Sequence, residues 1–273
     1  MKSILRFLAI VISAAACLSF APAVGGGAGK AQFVLQPIAS SAVHHNLEGP
    51  RIRNRNGTAT NWSGYAVETN LASPQNGAVT FAGGSWIVPA VSASSSANTY
   101  SSTWVGIDGY SDNTVEQIGT EQDWAGGRAV YYAWFEMYPK AAYRILNFPV
   151  VPGDTISAQV QYVQKGIFQL RITNVTRNVS FSINQKSGSA KRQSAEWIQE
   201  APSSRGGVLP LANFGVMNFF NCTATLKGVS GPISSSTWQK DAITMATSTG
   251  VIKAQPSALT SGGAGFSVTW YHE

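Results

Sequence analysis

Apolar and polar residues alternate with a period of two in segment after segment beyond residue 60. In residues 155–162, Ile156, Ala158, Val160 and Tyr162 share one face, while Thr155, Ser157, Gln159 and Gln161 share the other. Residues 179–183 and 266–270 repeat the pattern. A strand sends successive side chains to opposite faces, so this alternation predicts half-buried antiparallel sheets. Turn signals separate the runs at Asn56-Gly57, Asn76-Gly77, Pro152-Gly-Asp154 and Gly262-Gly263. Segments with a 3.6-residue period are scarce. The expected class is all-β, an antiparallel two-sheet β-sandwich formed by residues 57–273 as one domain without an internal repeat.

The N-terminal part is written differently. Lys2 and Arg6 precede an uncharged run from Phe7 to Gly29 with an apolar centre at Leu8–Ile12. This reads as a secretory signal peptide over residues 1–23, with small residues at Ala21-Pro-Ala23 for cleavage. Its apolar centre is shorter than the ~20 residues that span a bilayer. Residues 24–56 contain Gly25-Gly-Gly27, Ser40-Ser41 and the basic stretch Arg51-Ile-Arg-Asn-Arg55. They read as a propeptide or a disordered arm, the basic stretch being exposed and open to nicking. The formal net charge of +6 resides mostly here. Six of the 19 basic residues precede residue 56, against one acid, Glu48. The remaining body is nearly neutral, with no Lys/Arg cluster to track a phosphate backbone. Loss of Cys17 with the leader would leave Cys222 alone and exclude an internal disulfide.

Three histidines remove most hydrolytic machinery. His44 and His45 lie in the arm, and His272 is penultimate. A Ser-His-Asp or Cys-His site needs a positioned imidazole, and zinc needs several His or Cys ligands. No phosphate-binding Gly-rich loop is present. Acid–base work in this chain falls to Asp, Glu, Tyr or Lys. Six of the 13 acids cluster between residues 108 and 136, and Glu196 and Glu200 sit in Ala195-Glu-Trp-Ile-Gln-Glu200. As strands, these segments place Trp104 with Asp108, Tyr132 with Trp134, Glu136 and Tyr138, and Glu196 with Ile198 and Glu200. Val105, Ile107, Ala133, Phe135 and Met137 take the opposite faces, as core residues would. Such aromatic-plus-acid faces fit a substrate groove, and equally a solvated outer sheet face.

Six segments in order carry a family resemblance: Asn61-Trp-Ser-Gly-Tyr65, Trp104-Val-Gly-Ile-Asp-Gly109, Gln117-Ile-Gly119 with Asp123-Trp124, Ala133-Trp-Phe-Glu-Met-Tyr-Pro139, Pro152-Gly-Asp154 and Ala195–Glu200. From about residue 60 to its end, the chain resembles the glutamic peptidases (eqolisins, peptidase family G1). The resemblance implies a concanavalin-like sandwich of about seven strands per sheet. It also implies a secreted proenzyme and endopeptidase activity at acid pH. The catalytic Gln and Glu of the family match Gln117 and Glu200. Trp62, Asp108, Trp134 and Glu136 match residues near the substrate. Gln122 rivals Gln117, because three residues separate Gly119 from Asp123. The fungal members carry disulfides, which this chain lacks.

A Gln–Glu pair is chemically sufficient for amide hydrolysis. An ionised Glu takes a proton from the attacking water, an amide NH2 donates to the oxyanion, and the protonated Glu supplies the departing amine. No metal or cofactor is required. The expected partners are polypeptide substrates alone, with no nucleic acid and no stable membrane association after leader removal. A monomeric, extracellular protein is expected. A lectin-like carbohydrate-binding sandwich is the alternative, and a two-Glu glycoside hydrolase a further one.

Overall fold

The computed structural model describes residues 32–38, 50–53 and 57–273. The leader expected over residues 1–23, with Cys17, lies outside the described residues. So do His44, His45 and most of the expected propeptide. The described residues contain no α-helix. The strands are β1 (Val34–Pro37), β2 (Thr58–Ala59), β3 (Trp62–Glu68), β4 (Val79–Ile87), β5 (Ser102–Ile107), β6 (Val115–Ala125) and β7 (Arg128–Tyr138). They continue with β8 (Tyr143–Leu146), β9 (Thr155–Gln164), β10 (Ile167–Asn174), β11 (Val179–Lys186), β12 (Ser194–Glu200), β13 (Ser203–Ser204) and β14 (Gly207–Val208). The last are β15 (Val216–Leu226), β16 (Val229–Pro232), β17 (Gln239–Ala246), β18 (Ile252–Pro256) and β19 (Phe266–Trp270).

Antiparallel pairing builds a front sheet in the order β1-β8-β7-β6-β5-β12-β3-β17. The back sheet runs β11-β10-β9-β4-β15-β19-β18-β17. Strand β17 belongs to both. Its first half pairs with β3 and its last residues with β18, so the sheets are continuous along that edge. Short β16 pairs with β15 and short β2 with β17, so the front sheet has eight strands and the back sheet ten, where the resemblance implied about seven. The difference comes from the shared strand, from these two short strands and from β1, which adds to the β8 edge. β1 places part of the expected arm in regular pairing, not in disorder.

Between the sheets lies the main core. From the front come Val105, Ile107, Ile118, Phe135 and Trp197; from the back, Trp86, Ile156, Val160, Phe168 and Phe219. Val105, Ile107, Phe135, Ile156 and Val160 are among the positions the alternation predicts to share an apolar face. Trp86 Nε1 donates to Thr120 Oγ1 across the layers at 3.0 Å, so the one polar edge of a buried indole is satisfied. Cys222 is buried and free, a small apolar filler whose thiol burial pushes up.

Glycine is required where the front strands crowd. A Cβ at Gly119 would lie 2.6 Å from Trp104 Cβ and overlap the Thr103 carbonyl oxygen. A Cβ at Gly106 would lie 2.9 Å from the Trp104 ring. The two glycines therefore make the slot that holds Trp104. Gly119→Ala should destabilise the fold by about 2 kcal/mol or more, since backbone rather than a flexible side chain must yield. A chemical-denaturation midpoint unchanged by Gly119→Ala would contradict this.

Candidate active site

The face of the front sheet turned away from the main core is lined by rows set by strand register. One row runs Trp62, Glu200, Ser102, Glu121, Tyr132 across β3, β12, β5, β6 and β7. The next holds Ile198, Trp104, Gly119, Trp134 and Arg144. The third holds Glu196, Gly106, Gln117 and Glu136. Gln117 and Glu200 therefore share a face but stand two rows apart, with β5 and the Trp104 indole between them.

Past the end of β5, Gly109 has a φ of 98°, and a Cβ there would meet Val115 and come 3.0 Å from the Trp62 ring. Trp62, Trp104, Tyr110, Val115, Tyr132, Trp134 and Ile198 form a second apolar cluster on this face. Trp62 and Trp104 meet edge to face, centroids 5.0 Å apart at 76°.

Polar groups are held firmly within this cluster. Glu200 Oε2 accepts from Trp104 Nε1 at 2.9 Å, and Oε1 from Asn61 Nδ2 at 3.1 Å. Ala201 N donates to the Asn61 carbonyl, pinning Asn61 beside the end of β12. Gln117 Nε2 donates to Glu136 Oε2 at 3.1 Å. The Trp134 Nε1 donor is buried without a hydrogen-bond partner among the described residues. Gln117, Glu200, Trp62, Trp104 and Trp134 are fully buried. The segment 50–53 lies over one end of the face. Ile52 N donates to Asn61 Oδ1 at 2.8 Å, Asn61 Nδ2 to the Pro50 carbonyl at 3.3 Å, and Arg51 N to the Gly109 carbonyl at 2.9 Å.

Five of the six residues expected at the site, Gln117, Glu200, Trp62, Trp134 and Glu136, share this face. Asp108 does not join them. Its φ of 73° ends β5 and turns the carboxylate onto Arg192 N and Gln193 N, both at 2.7 Å. Gln122 faces the opposite way, donating to Thr103 Oγ1 and the Ser101 and Thr120 carbonyls. Arg144 packs over the Tyr132 ring at 4.3 Å rather than on Glu136. Asn61, unassigned by the sequence reading, touches Glu200; only its place beside Trp62 in the first motif hinted at it. Asn61 and Asn174, which each open an Asn-x-Ser/Thr sequence, are both buried. Arg51, expected to be exposed, has a side chain only 3% exposed.

A group of buried carboxyls occupies the end of this sheet remote from Glu200. Glu68, Asp108, Glu116 and Glu196 are all fully buried. Burial pushes Glu68 up to about 7 and raises Glu116 and Glu196 well above the usual carboxylate range. Burial, then the neighbouring Asp112, raises Asp108, outweighing its two amide donors. Among the described residues no group of His, Cys, Asp and Glu is placed to hold a metal ion.

The Peptidase A4 family matches residues 60–269, and the chain belongs to it. Aspergillopepsin-2 of Aspergillus niger is 32% identical over 168 residues, covering 53% of this chain and 59% of its own length. Scytalidopepsin B of Scytalidium lignicola is 33% identical over 154 residues, covering 52% and 57%. The chain thus spans somewhat under three fifths of these curated relatives. A crystal structure of scytalido-glutamic peptidase with a transition state analog inhibitor superposes with a TM-score of 0.63 at 23% identity, covering 78% of this chain and 98% of that one. Aspergilloglutamic peptidase from Aspergillus niger gives 0.55 at 28% identity, covering 63% and 99%. These likenesses establish the antiparallel sandwich fold.

Proposed function

We propose that this chain is a secreted, acid-acting endopeptidase in which Glu200 activates water and Gln117 stabilises the oxyanion. The observation that carries the reading is Glu200 held between two neutral N–H donors on an aromatic face. Donors of this kind work against burial and toward the ionised carboxylate, which is the state a general base needs in acid. Gln117 has two amide hydrogens. Glu136 accepts one and fixes the amide plane; the reading assigns the other to the oxyanion. Water loses a proton to Glu200 as its oxygen bonds the scissile carbonyl carbon. The tetrahedral oxyanion receives the Gln117 N–H. The proton on Glu200 then passes to the amine nitrogen as the C–N bond breaks, regenerating the carboxylate. The Trp134 indole N–H is a donor suited to a substrate carbonyl.

The relatives named as peptidases support this reading. The burial of the face suits a proenzyme, because a substrate reaches Glu200 only after covering residues move. The strap at 50–53 is one such cover. Digestion of an unfolded protein by the full chain at pH 2–5 tests the reading, with Glu200→Gln and Gln117→Ala as controls. Activity lost in both is expected. An inactive wild type across that range, or a fully active Glu200→Gln form, would sink it.

Asn61 extends the prediction to the acid limb. Asn61→Ala removes one donor from Glu200, so the acid limb of the pH–rate curve should move toward neutral by about one unit. The Michaelis constant should change little. A curve of unchanged shape would show that Asn61 only packs.

A further inference from the structure

The outer face of the back sheet is almost free of charge. None of the chain's 13 acids falls in β4, β9, β10, β11, β15 or β16, and Arg171 and Lys186 are the only basic residues of these six strands. A face that meets only water is ordinarily rich in Lys, Arg, Asp and Glu. Amides, hydroxyls and aromatic rings take their place here. Strand register sets one row of Asn184, Gln169, Gln161, Phe81, Thr225 and Ser230 across all six strands. It points outward, because the next residues along the strands, Leu170, Val160, Ala82 and Ala224, enter the main core. Asn184, Gln161 and Ser230 are exposed.

Phe81 is placed oddly for a ring outside the core. A Cβ at Gly83 would lie 2.6 Å from Phe81 Cζ and 2.9 Å from Cε1. The ring thus fills the space that a side chain at 83 would take, and lies down along β4 instead of standing off the sheet. It is half-buried, as is Phe220, which sits opposite Ser85 one strand away. Among the described residues neither ring belongs to an apolar cluster. Gln161 flanks Phe81 on β9 and Thr225 flanks it on β15.

This chemistry selects its occupant. A sugar ring has an apolar C–H face and a rim of hydroxyls, each both donor and acceptor. An aromatic ring covers the first. Carboxamides, which also donate and accept, suit the second. A charged protein partner would find no counter-charges here, and two cations cannot track a phosphate backbone. A second copy of the chain would bury a polar sheet, whereas the core of a self-associating interface is apolar.

We propose that the outer face of the back sheet is a docking platform for an uncharged polysaccharide, with Phe81 stacking on a sugar ring and the Gln161 and Gln169 amides bonding its hydroxyls. The platform lies on the opposite side of the sandwich from Glu200, so a docked chain leaves the front face free. The proposal goes beyond the peptidase reading and does not depend on it.

Co-sedimentation of the full chain with microcrystalline cellulose, chitin and curdlan tests this, and the polymer that retains the protein identifies the sugar. Retention on at least one is expected. It should survive about 1 M NaCl, which screens charge-driven adsorption. It should also be level between about pH 3 and pH 5, since no carboxyl of these strands titrates there. Phe81→Ala and Gln161→Ala should each weaken binding about five- to tenfold, the scale of one stacking or polar contact. A soluble oligosaccharide of the retaining polymer should release the wild type, a readout that needs no variant to fold. Retention by none of the three polymers, loss of retention in salt, or equal binding by both variants would overturn the platform. So would self-association of the wild type that Phe81→Ala abolishes, since a second copy would then be the occupant. None of these outcomes bears on the peptidase reading, which rests on the digestion assay.

Discussion

Glu200→Gln should lower kcat for peptide hydrolysis about 10³–10⁴-fold, the scale of losing a positioned general base. The substitution keeps shape and removes basicity. It also places an NH2 where two donors, Trp104 Nε1 and Asn61 Nδ2, already converge. One N–H then faces another, so a stability loss of about 1–3 kcal/mol should accompany the catalytic one. A denaturation curve separates the two effects, because a folded but inactive protein remains at moderate temperature. Gln117→Ala should lower kcat about 10²–10³-fold with little change in KM, as for removal of an oxyanion donor. It also takes from Glu136 the donor it now accepts. Because the two groups act on one transition state, the double variant should be scarcely slower than Glu200→Gln alone. Fully multiplicative losses would mean that the residues serve separate steps.

What was legible in the sequence was local. Period-two reasoning placed Tyr132, Trp134 and Glu136 on one face of β7 and Ala133, Phe135 and Met137 on the other, as the structure has them. It placed Glu196, Ile198 and Glu200 together on β12 for the same reason. Long-range register was not legible. Glu200 and Gln117 come to one face of one sheet only because β5 lies between β12 and β6. Asp108 escaped the alternation because a left-handed residue at the strand end reverses its side chain, and no spacing rule signals that in a non-glycine residue. Arg51 read as exposed because a basic run has no periodicity. Its burial depends on Tyr110 and Asp241, the latter 190 residues away in sequence. The chain end is also better fixed than its position implied: Ser94, Ser95 and Ser96 all donate to the Glu273 carboxylate.

Thermal stability should be highest in acid and fall steeply from about pH 5 to pH 8. Glu68, Glu116 and Glu196 are buried, and the hydroxyls of Ser111, Ser187 and Ser194 beside them offset that burial only in part. Such groups fold most easily when neutral. A folded-state value raised above the unfolded one contributes stability that is fully present below the unfolded value, ~4.3. That contribution is lost as the pH rises through the folded value, which for Glu68 is about 7. Glu68 alone then accounts for about 3 kcal/mol between pH 4 and pH 8. Glu116, Glu196 and Asp108 are raised for the same first reason and act in the same direction. Buried Lys253, lowered to about 8, opposes them only from about pH 8 upward, and the remaining opposing groups act at lower pH. Burial alone would raise Asp154, but Arg177, Asn174 and the Val151 amide together hold it low. Ser95, with Ser94 and Ser96, holds Glu273 down to about 2. Their contribution disappears only as the pH falls below about 4. Melting temperatures taken from pH 3 to pH 9 test the balance, and Glu196→Gln assigns it. The amide keeps the shape of the neutral acid and cannot ionise, so the variant should lose less stability than wild type above pH 6. A wild-type melting temperature that is level from pH 5 to pH 8 would mean that these carboxyls are ionised in the folded protein, and that water or motion reaches the end of the sheet.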